Sequence, residues 1–288
     1  MDSLVKNLLE NQLKEKIQKP NCKTRSGRSF LAFYLQTKFR QIINHDKKSP
    51  KQIILSYREN FLDEFSTRLI NRPNDRILIA LSGESASGKS TICNQITKCI
   101  KELNLPVNIL TADNYFKDIS QLIKKYGNFD LLRDAGYDVD APENFDLDLL
   151  RNDILTLQKG EDILSPEYLV NGEGKSKPKS IPVKSQKIII VEGMCSIYDK
   201  IQDVFDIKIY IDLDDTERKK RFLNRAKQRN QDEKNALKHW DYIQTAGKKY
   251  VASNKDKCDI ILNGECDLEY FSHMVEYINL ITNNFYEE

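Results

Sequence analysis

The most informative feature of this chain for its fold is the stretch Gly83-Glu84-Ser85-Ala86-Ser87-Gly88-Lys89-Ser90-Thr91. It fits the pattern G-x-x-x-x-G-K-[ST], in which backbone N–H groups surround a phosphate anion. Lys89 can place its ammonium group on the β and γ phosphates, and the Ser90 hydroxyl can reach a bound Mg²⁺. Residues 76–82 have the pattern of a buried strand and residues 90–100 that of a helix. Because this strand–loop–helix order is rare in a chance glycine-rich turn, all nine residues are predicted to bind ATP with Mg²⁺.

The rest of the chain alternates between strand and helix patterns. Strand-like segments occur at 77–81, 107–111, 187–191, 207–211 and 259–262, and helical segments at about 89–103, 144–158, 214–229, 232–250 and 267–284. This alternation predicts an α/β fold with a parallel sheet between two helical layers, and ligands bind beyond the carboxyl ends of such strands. Residues 161–186 interrupt the pattern and predict a β-hairpin or a mobile flap.

Residues 1–75 predict a helical N-terminal extension before the main domain of residues 76–288. Apolar residues recur at helical spacing over 4–17 and again over 30–43. A third helix is predicted from Ser49, which can cap it ahead of Pro50 and Gln52, and its buried face continues through Ile53, Ile54 and beyond. No residue of the extension suggests chemistry.

Composition argues against several classes of protein. The net charge of +2 gives no electrostatic reason for binding nucleic acid or a membrane surface. The six cysteines form no C-x-x-C pair, which disfavours a zinc site or a disulfide scaffold. No signal peptide or membrane-length apolar run is apparent, so we expect a cytoplasmic protein whose partner is a small molecule, with homo-oligomerisation left open.

Two carboxylates follow predicted strands at the level of the phosphates. Asp113 comes two residues after the second strand, where it can accept a proton from an attacking hydroxyl or hold a metal-bound water. Glu192 ends the third strand, and a charge after four aliphatic residues needs a cation, for which Mg²⁺ is the natural candidate. The competing interpretations are a turn or N-cap aspartate and a solvated strand end.

Two further charged segments suggest substrate contacts. Residues 138–146 hold four carboxylates, which can accept hydrogen bonds from ribose-like hydroxyls or can form an acidic turn before a helix. Arg218, Arg221, Arg225 and Arg229 lie on one side of a predicted helix. They either stabilise the charge of transferring phosphates or form a solvated basic face.

Over residues 76–265 these pieces resemble the uridine kinase and phosphoribulokinase branch of P-loop kinases. The nine-residue loop is similar to G-x-S-G-S-G-K-[ST]-T, with Ala86 in place of a glycine, and residues 113–117 are similar to D-S-F-Y-[KR]. Residues 140–146 resemble D-H-P-D-A-F-D, residues 166–168 the P-x-Y of the substrate flap, and residues 191–193 V-E-G.

The resemblance implies a P-loop kinase fold with a flap at 161–186 and a basic lid helix at 214–229. It assigns Asp113 as catalytic base and Glu192, with Ser90 and Asp113, to the magnesium site. The other implied roles are catalysis by Lys89, Arg221 and Arg225, ATP binding by Arg229, and substrate binding by Asp140, Tyr115, Tyr168 and Arg221.

Two departures from the family pattern leave the phosphate acceptor open. The flap tyrosine is followed by residues 169–174 without the histidine of uridine kinases, and Phe222 and Ala226 replace an arginine and an aspartate of R-R-x-x-R-D. The first expectation is an ATP-dependent kinase of a ribonucleoside. The alternatives are a kinase of another alcohol, such as a sugar phosphate, glycerate or pantothenate, and a nucleotide-binding switch or scaffold that transfers no phosphate.

Overall fold

The computed structural model describes residues 24–48, 52–72, 75–102, 106–169 and 172–266. Its α-helices in chain order are α1 Arg25–Asp46, α2 Phe61–Asn71, α3 Lys89–Glu102, α4 Ser120–Tyr126, α5 Phe129–Asp134, α6 Leu147–Gln158, α7 Asp215–Gln228 and α8 Glu233–Ala246. Its strands are β1 Ile54–Tyr57, β2 Ile77–Ser82, β3 Val107–Thr111, β4 Ile163–Tyr168, β5 Ser176–Val183, β6 Ile188–Glu192, β7 Ile207–Asp212 and β8 Ile260–Asn263. The alternation from β2 onward confirms the predicted α/β class.

Six strands form the central sheet in the order β1-β8-β7-β2-β6-β3. Every neighbouring pair is parallel except β1 and β8, which are antiparallel. β2 lies between β6 and β7, so the loop after β2 emerges at the middle of the carboxyl edge of the sheet. Chain order reverses around β2, and ligands of open α/β sheets bind at such a position.

Alternate side chains of the strands enter two separate cores. Leu78 and Ala80 of β2 pack on one face with Leu150 of α6, whereas Leu81 packs on the other face with Ile92 of α3. Because both faces of the sheet are covered, its central strands are apolar at nearly every position. The result is the predicted arrangement of a sheet between two helical layers.

The predicted third helix of the extension is wrong at its start. Ile54–Tyr57 is an edge strand that pairs with β8, and the helix begins only at Phe61. The open edge of β8 supplies backbone partners, and the Asp46 carboxylate accepts hydrogen bonds from the N–H groups of Ile53 (3.0 Å) and Ile54 (2.7 Å). Tertiary pairing therefore overrides local helical spacing. The extension contributes one strand to the central sheet.

The other predicted elements agree with the structure wherever it describes them. The interruption at 161–186 contains an antiparallel hairpin of β4 and β5. The predicted helices at 4–17 and 267–284, and the cap residues Ser49 and Pro50, lie outside the described residues. Within the described part of the chain, no helix has the length and hydrophobicity needed to cross a bilayer.

Candidate active site

The loop between β2 and α3 has the sharp backbone path that its glycines predict. A Cβ on Gly83 would lie 2.5 Å from the carbonyl oxygen of Ile211, so β7 leaves no room for a side chain there. Ala86 adopts a left-handed φ of +64°, a conformation that glycine reaches without strain. α3 begins at Lys89, and its first N–H groups therefore lie at the phosphate-binding end of the loop.

A cleft of about 520 Å³ opens beside this loop. Its volume is in the range of small-molecule sites. Asp113, Glu192, Arg221 and Arg225 line it together with loop residues, so the tertiary structure brings these predicted groups together. Two further lining residues, Gly264 and Cys266, follow β8, and no sequence motif marks them.

Lys89 shares the floor of the cleft with two carboxylates. Its Nζ donates a hydrogen bond to the carbonyl oxygen of Glu84 at 3.2 Å. Burial lowers the pKa of Lys89, while the nearby charges of Asp113 and Glu192 oppose that change. These carboxylates favour the protonated ammonium form that would bind phosphate.

Asp113 occupies the short 3₁₀ turn Ala112–Tyr115 that follows β3. Its carboxylate accepts a hydrogen bond from the backbone N–H of Met194 rather than capping its own turn. Gly193 permits this approach, because a Cβ there would lie 2.8 Å from Asp113 Oδ1. The carboxylate lies deep in an open cleft that water still reaches, and the enclosing protein raises its pKa despite Lys89. A raised pKa makes Asp113 a better proton acceptor than an ordinary aspartate.

The oxygen atoms beside Lys89 fit a magnesium site. Ser90 Oγ donates a hydrogen bond to Glu192 Oε1 at 2.9 Å. Glu192 is buried, and its pKa is raised by burial and by Asp113. Two carboxylates that disfavour each other's charge are stabilised by a divalent cation, and Mg²⁺ takes oxygen ligands from one or two carboxylates and substrate phosphates.

The arginines of α7 divide between different surroundings. Arg221 Nη1 donates to the carbonyl oxygen of Gly264 at 3.0 Å, and both Arg221 and Arg225 line the cleft. Arg229 is exposed at the C-terminal cap of the helix and is not among the lining residues. Arg218 is fully buried against Glu84 at 2.8 Å, so neither predicted alternative, contact with the phosphates or a solvated basic face, holds for this arginine.

The four carboxylates of residues 138–146 also separate. Asp146 caps α6 by accepting from the Leu149 N–H at 3.1 Å, and Asp138 accepts from the Tyr250 hydroxyl at 2.6 Å. Asp140 is largely enclosed, and no described residue donates a hydrogen bond to it. Burial raises its pKa, and it lies near enough to Asp113 for that charge to raise it further. Asp140 is therefore the carboxylate with free acceptor capacity beside the candidate base.

The two predicted substrate tyrosines have different positions. Tyr115 is only 1% exposed, and its hydroxyl donates to Asp153 Oδ2 at 2.6 Å within the main core. Its prediction as a substrate contact is therefore corrected to a structural role. Tyr168 is half-buried at the end of β4, with its ring centroid 5.2 Å from that of Phe116. Burial raises the pKa of its hydroxyl, and the charges of Asp118 and Asp140 raise it further. Tyr168 thus lies near Asp140, and its role as a substrate contact stays a prediction.

Arg133 and His239 belong to the same region but carry no sequence motif. The Arg133 side chain is 10% exposed and lies over the ring of Tyr242 at 5.6 Å, which joins α5 to α8. Its charge opposes the rise in the pKa of Asp140. His239 packs edge-on against Phe222 at 5.3 Å, and burial followed by Arg133 lowers its pKa to about 4. Arg133 therefore lies near both Asp140 and His239, and His239 is held in its neutral form.

Comparison with known proteins agrees with this architecture. A profile of the phosphoribulokinase / uridine kinase family matches residues 78–267. Uridine kinase of Clostridium novyi is 32% identical over 189 residues, covering 65% of this chain and 86% of that protein. Uridine-cytidine kinase B of Dictyostelium discoideum is 27% identical over 188 residues, covering 64% and 73%.

Solved structures show the same fold. The structure of a proposed fructose transport system kinase from a Silicibacter species has a TM-score of 0.57 at 20% identity, covering 69% of this chain and 95% of that one. D-glycerate 3-kinase from Cryptococcus neoformans has a TM-score of 0.50 at 13% identity, covering 72% and 94%. At these identities the likeness concerns the fold alone. With the profile match and the uridine kinase relatives, the chain belongs to the phosphoribulokinase / uridine kinase family.

Proposed function

We propose that this chain is an ATP- and Mg²⁺-dependent kinase that transfers the γ-phosphate to a hydroxyl group of a ribonucleoside. The observation that carries the proposal is the position of Asp113. Its charge interacts with that of Lys89, the proposed phosphate-binding residue, and also with that of Asp140, to which no described residue donates a hydrogen bond. A proton acceptor between a phosphate site and a hydroxyl site is what phosphoryl transfer to an alcohol requires.

In this proposal the phosphates bind at the loop and the N-terminus of α3, with Lys89 on the β and γ phosphates. Ser90 and Glu192 would hold a magnesium ion, which would neutralise phosphate charge when bound. Asp113 accepts the proton of the acceptor hydroxyl while the hydroxyl oxygen forms a bond to the γ-phosphorus. The bond between the γ-phosphorus and the oxygen that leaves with ADP breaks in the same step. Arg221 and Arg225 stabilise the charge of the phosphoryl group in transit.

The choice of a ribonucleoside rests on Asp140 and on the named relatives. Asp140 can accept hydrogen bonds from two neighbouring hydroxyls, and the named relatives are a uridine kinase and a uridine-cytidine kinase. The flap around Tyr168 contains no histidine among residues 161–186, and this observation favours a second candidate. That candidate is a kinase of a non-nucleoside alcohol with the same transfer chemistry.

The hairpin of β4 and β5 and the helix α7 are proposed as the two covers of the site. Their closure would exclude water, so that the phosphate passes to the acceptor rather than to water. The cytoplasm is the proposed compartment, because the buried cysteines Cys93, Cys195 and Cys258 are free thiols.

An acceptor screen tests the proposal. Purified protein is incubated with ATP and Mg²⁺ in the presence of nucleosides, sugar phosphates, glycerate or pantothenate, and ADP and phosphorylated product are measured by mass spectrometry. Asp113→Asn serves as the matched control and should lose about 10²–10⁴ in rate while still binding ATP. Phosphorylation of a non-nucleoside alcohol alone would select the second candidate. Absence of transfer to any alcohol would favour a nucleotide-binding switch or scaffold.

A further inference from the structure

The phosphate-binding loop carries a carboxylate one residue after Gly83. Glu84 is 7% exposed, and its side chain packs under the turn that follows α8, where a Cβ on Gly247 would lie 2.8 Å from Glu84 Oε1. The Tyr210 hydroxyl of β7 lies 3.5 Å from Glu84 Oε2. The carboxylate is thus enclosed by protein although its backbone belongs to an anion-binding loop.

Arg218 of α7 is the cation that faces Glu84. It is 0% exposed, and its Nη1 lies 2.8 Å from Glu84 Oε1 and 2.8 Å from Asp215 Oδ1. Its Nε donates a hydrogen bond to the carbonyl oxygen of Ser85 at 3.1 Å, so it holds the loop backbone as well. The guanidinium also lies over the ring of Trp240 at 5.4 Å. One side chain therefore joins the loop to α7 and α8.

A negative charge in this position opposes the binding of ATP. A triphosphate carries several negative charges, and repulsion between like charges is screened weakly inside a protein. The charged or titratable groups that face Glu84 are Tyr210 on β7, Arg218 and Asp215 on α7, and Lys248 after α8. Asp215 is itself paired with Lys248 at 2.9 Å. Arg218 is the buried cation in direct contact with the carboxylate.

We propose that Arg218 is a positioning residue for ATP binding, which compensates the charge of Glu84 and fixes the Ser85 carbonyl. Through this contact the helix that carries Arg221 and Arg225 also sets the charge and shape of the phosphate-binding loop. The inference rests on the proposed function, because it concerns the same ATP site.

Binding of ATP with Mg²⁺ to the full chain, measured by calorimetry at pH 8 without acceptor, tests this inference. Arg218→Met should weaken binding about tenfold to hundredfold, because it leaves Glu84 uncompensated. The double variant Arg218→Met/Glu84→Gln should recover to within about fivefold of wild type, because a neutral amide needs no counter-charge. If Arg218 only supports helix packing, the double variant will bind as weakly as Arg218→Met, which would overturn the inference.

The pH dependence supplies a readout that a packing role would not change. Burial raises the pKa of Glu84, and Arg218 opposes that rise. Without Arg218 the carboxylate should take up a proton more readily, so Arg218→Met should approach wild-type affinity as the pH is lowered from 8 to 6. Each value is compared with wild type at the same pH, because ATP itself titrates. A constant ratio across this range would contradict the proposal.

Glu84→Gln alone keeps the test decisive if Arg218→Met does not fold. This variant should bind ATP at least as tightly as wild type, since Arg218 still has Asp215 as a partner. A tenfold loss in Glu84→Gln would overturn the inference. Failure of wild type itself to bind ATP would instead refute the proposed function, so the two failures are distinguishable.

Discussion

Replacing Gly193 by alanine should displace the candidate base. The new Cβ would lie 2.8 Å from Asp113 Oδ1 and 2.9 Å from Ala112 Cβ. Unbonded carbon and oxygen atoms need about 3.4 Å, so the carboxylate must move by roughly 0.6 Å. A displacement of about 1 Å in a catalytic group can cost about 100-fold in rate, so we expect kcat to fall about 10- to 100-fold. Gly193 also has a φ of +153°, which adds backbone strain in the variant.

The assay separates catalysis from ATP binding. We expect the dissociation constant for ATP to stay within about threefold of wild type, because the affected contact is with the base rather than the phosphate loop. Gly160→Ala is the matched control. Its φ is +94°, but the nearest atom to its new Cβ is Nη2 of the flexible Arg76 side chain at 3.4 Å. This control should show similar backbone strain and an unchanged kcat.

A double-mutant cycle decides whether the loss acts through Asp113. In an Asp113→Asn background, Gly193→Ala should lower kcat by less than about threefold, because the group that it displaces no longer accepts a proton. An equal loss in both backgrounds would refute the reasoning, since it would mean that Gly193→Ala damages another part of the site. A kcat within about twofold of wild type in the single variant would refute it as well.

Three further predictions concern nucleotide binding and stability. Lys89→Ala should weaken ATP binding about 10- to 100-fold through loss of a charged hydrogen bond, and unchanged affinity in calorimetry would contradict the loop assignment. Tyr115→Phe should lower the free energy of unfolding by about 1–3 kcal/mol in denaturant titration, because Asp153 loses its donor; a raised KM for the acceptor would restore the substrate role. Burial lowers the pKa of His239 to about 4 in the folded chain, whereas a histidine of the unfolded chain has its ordinary pKa of 6.5. As the pH falls below 6.5 the unfolded chain therefore takes up a proton first, and the free energy of unfolding decreases. Between pH 7 and pH 5 wild type should lose about 2 kcal/mol more than His239→Asn, and equal losses would show that His239 is not buried in its neutral form.

The phosphate loop, the α/β class and the candidate carboxylates Asp113 and Glu192 could all be predicted from the sequence. These features are local: a glycine-rich loop between a buried strand and a helix has few alternative structures, and a polar residue directly after an apolar strand lies at the ligand-binding edge. For residues 161–186 the strand-like segments on either side of Gly172 and Gly174 left two alternatives, a β-hairpin or a mobile flap, and the structure contains the hairpin.

The surroundings of each charged side chain could not be predicted in this way, because they depend on how distant elements pack. Equal helical spacing placed Arg218 and Arg225 on one side of α7, but Arg218 is buried against Glu84 whereas Arg225 lines the cleft. Among the acidic residues before α6, Asp146 caps the helix and Asp140 remains without a donor. Spacing defines a direction from a helix or turn, but burial and partners depend on elements that are distant in sequence.

The extended conformation of β1 also depends on a segment that is distant in sequence. Ile54 and Tyr57 fit a helical or an extended pattern, and the unpaired edge of β8, more than two hundred residues later, selects the extended one. Arg133 and His239 likewise come near each other only because α5 and α8 pack together through Asp134, which accepts hydrogen bonds from Lys238 and Tyr242 at 2.5 and 2.6 Å. Backbone pairing and side-chain burial are free energies of contacts between distant segments, so a local pattern cannot determine them.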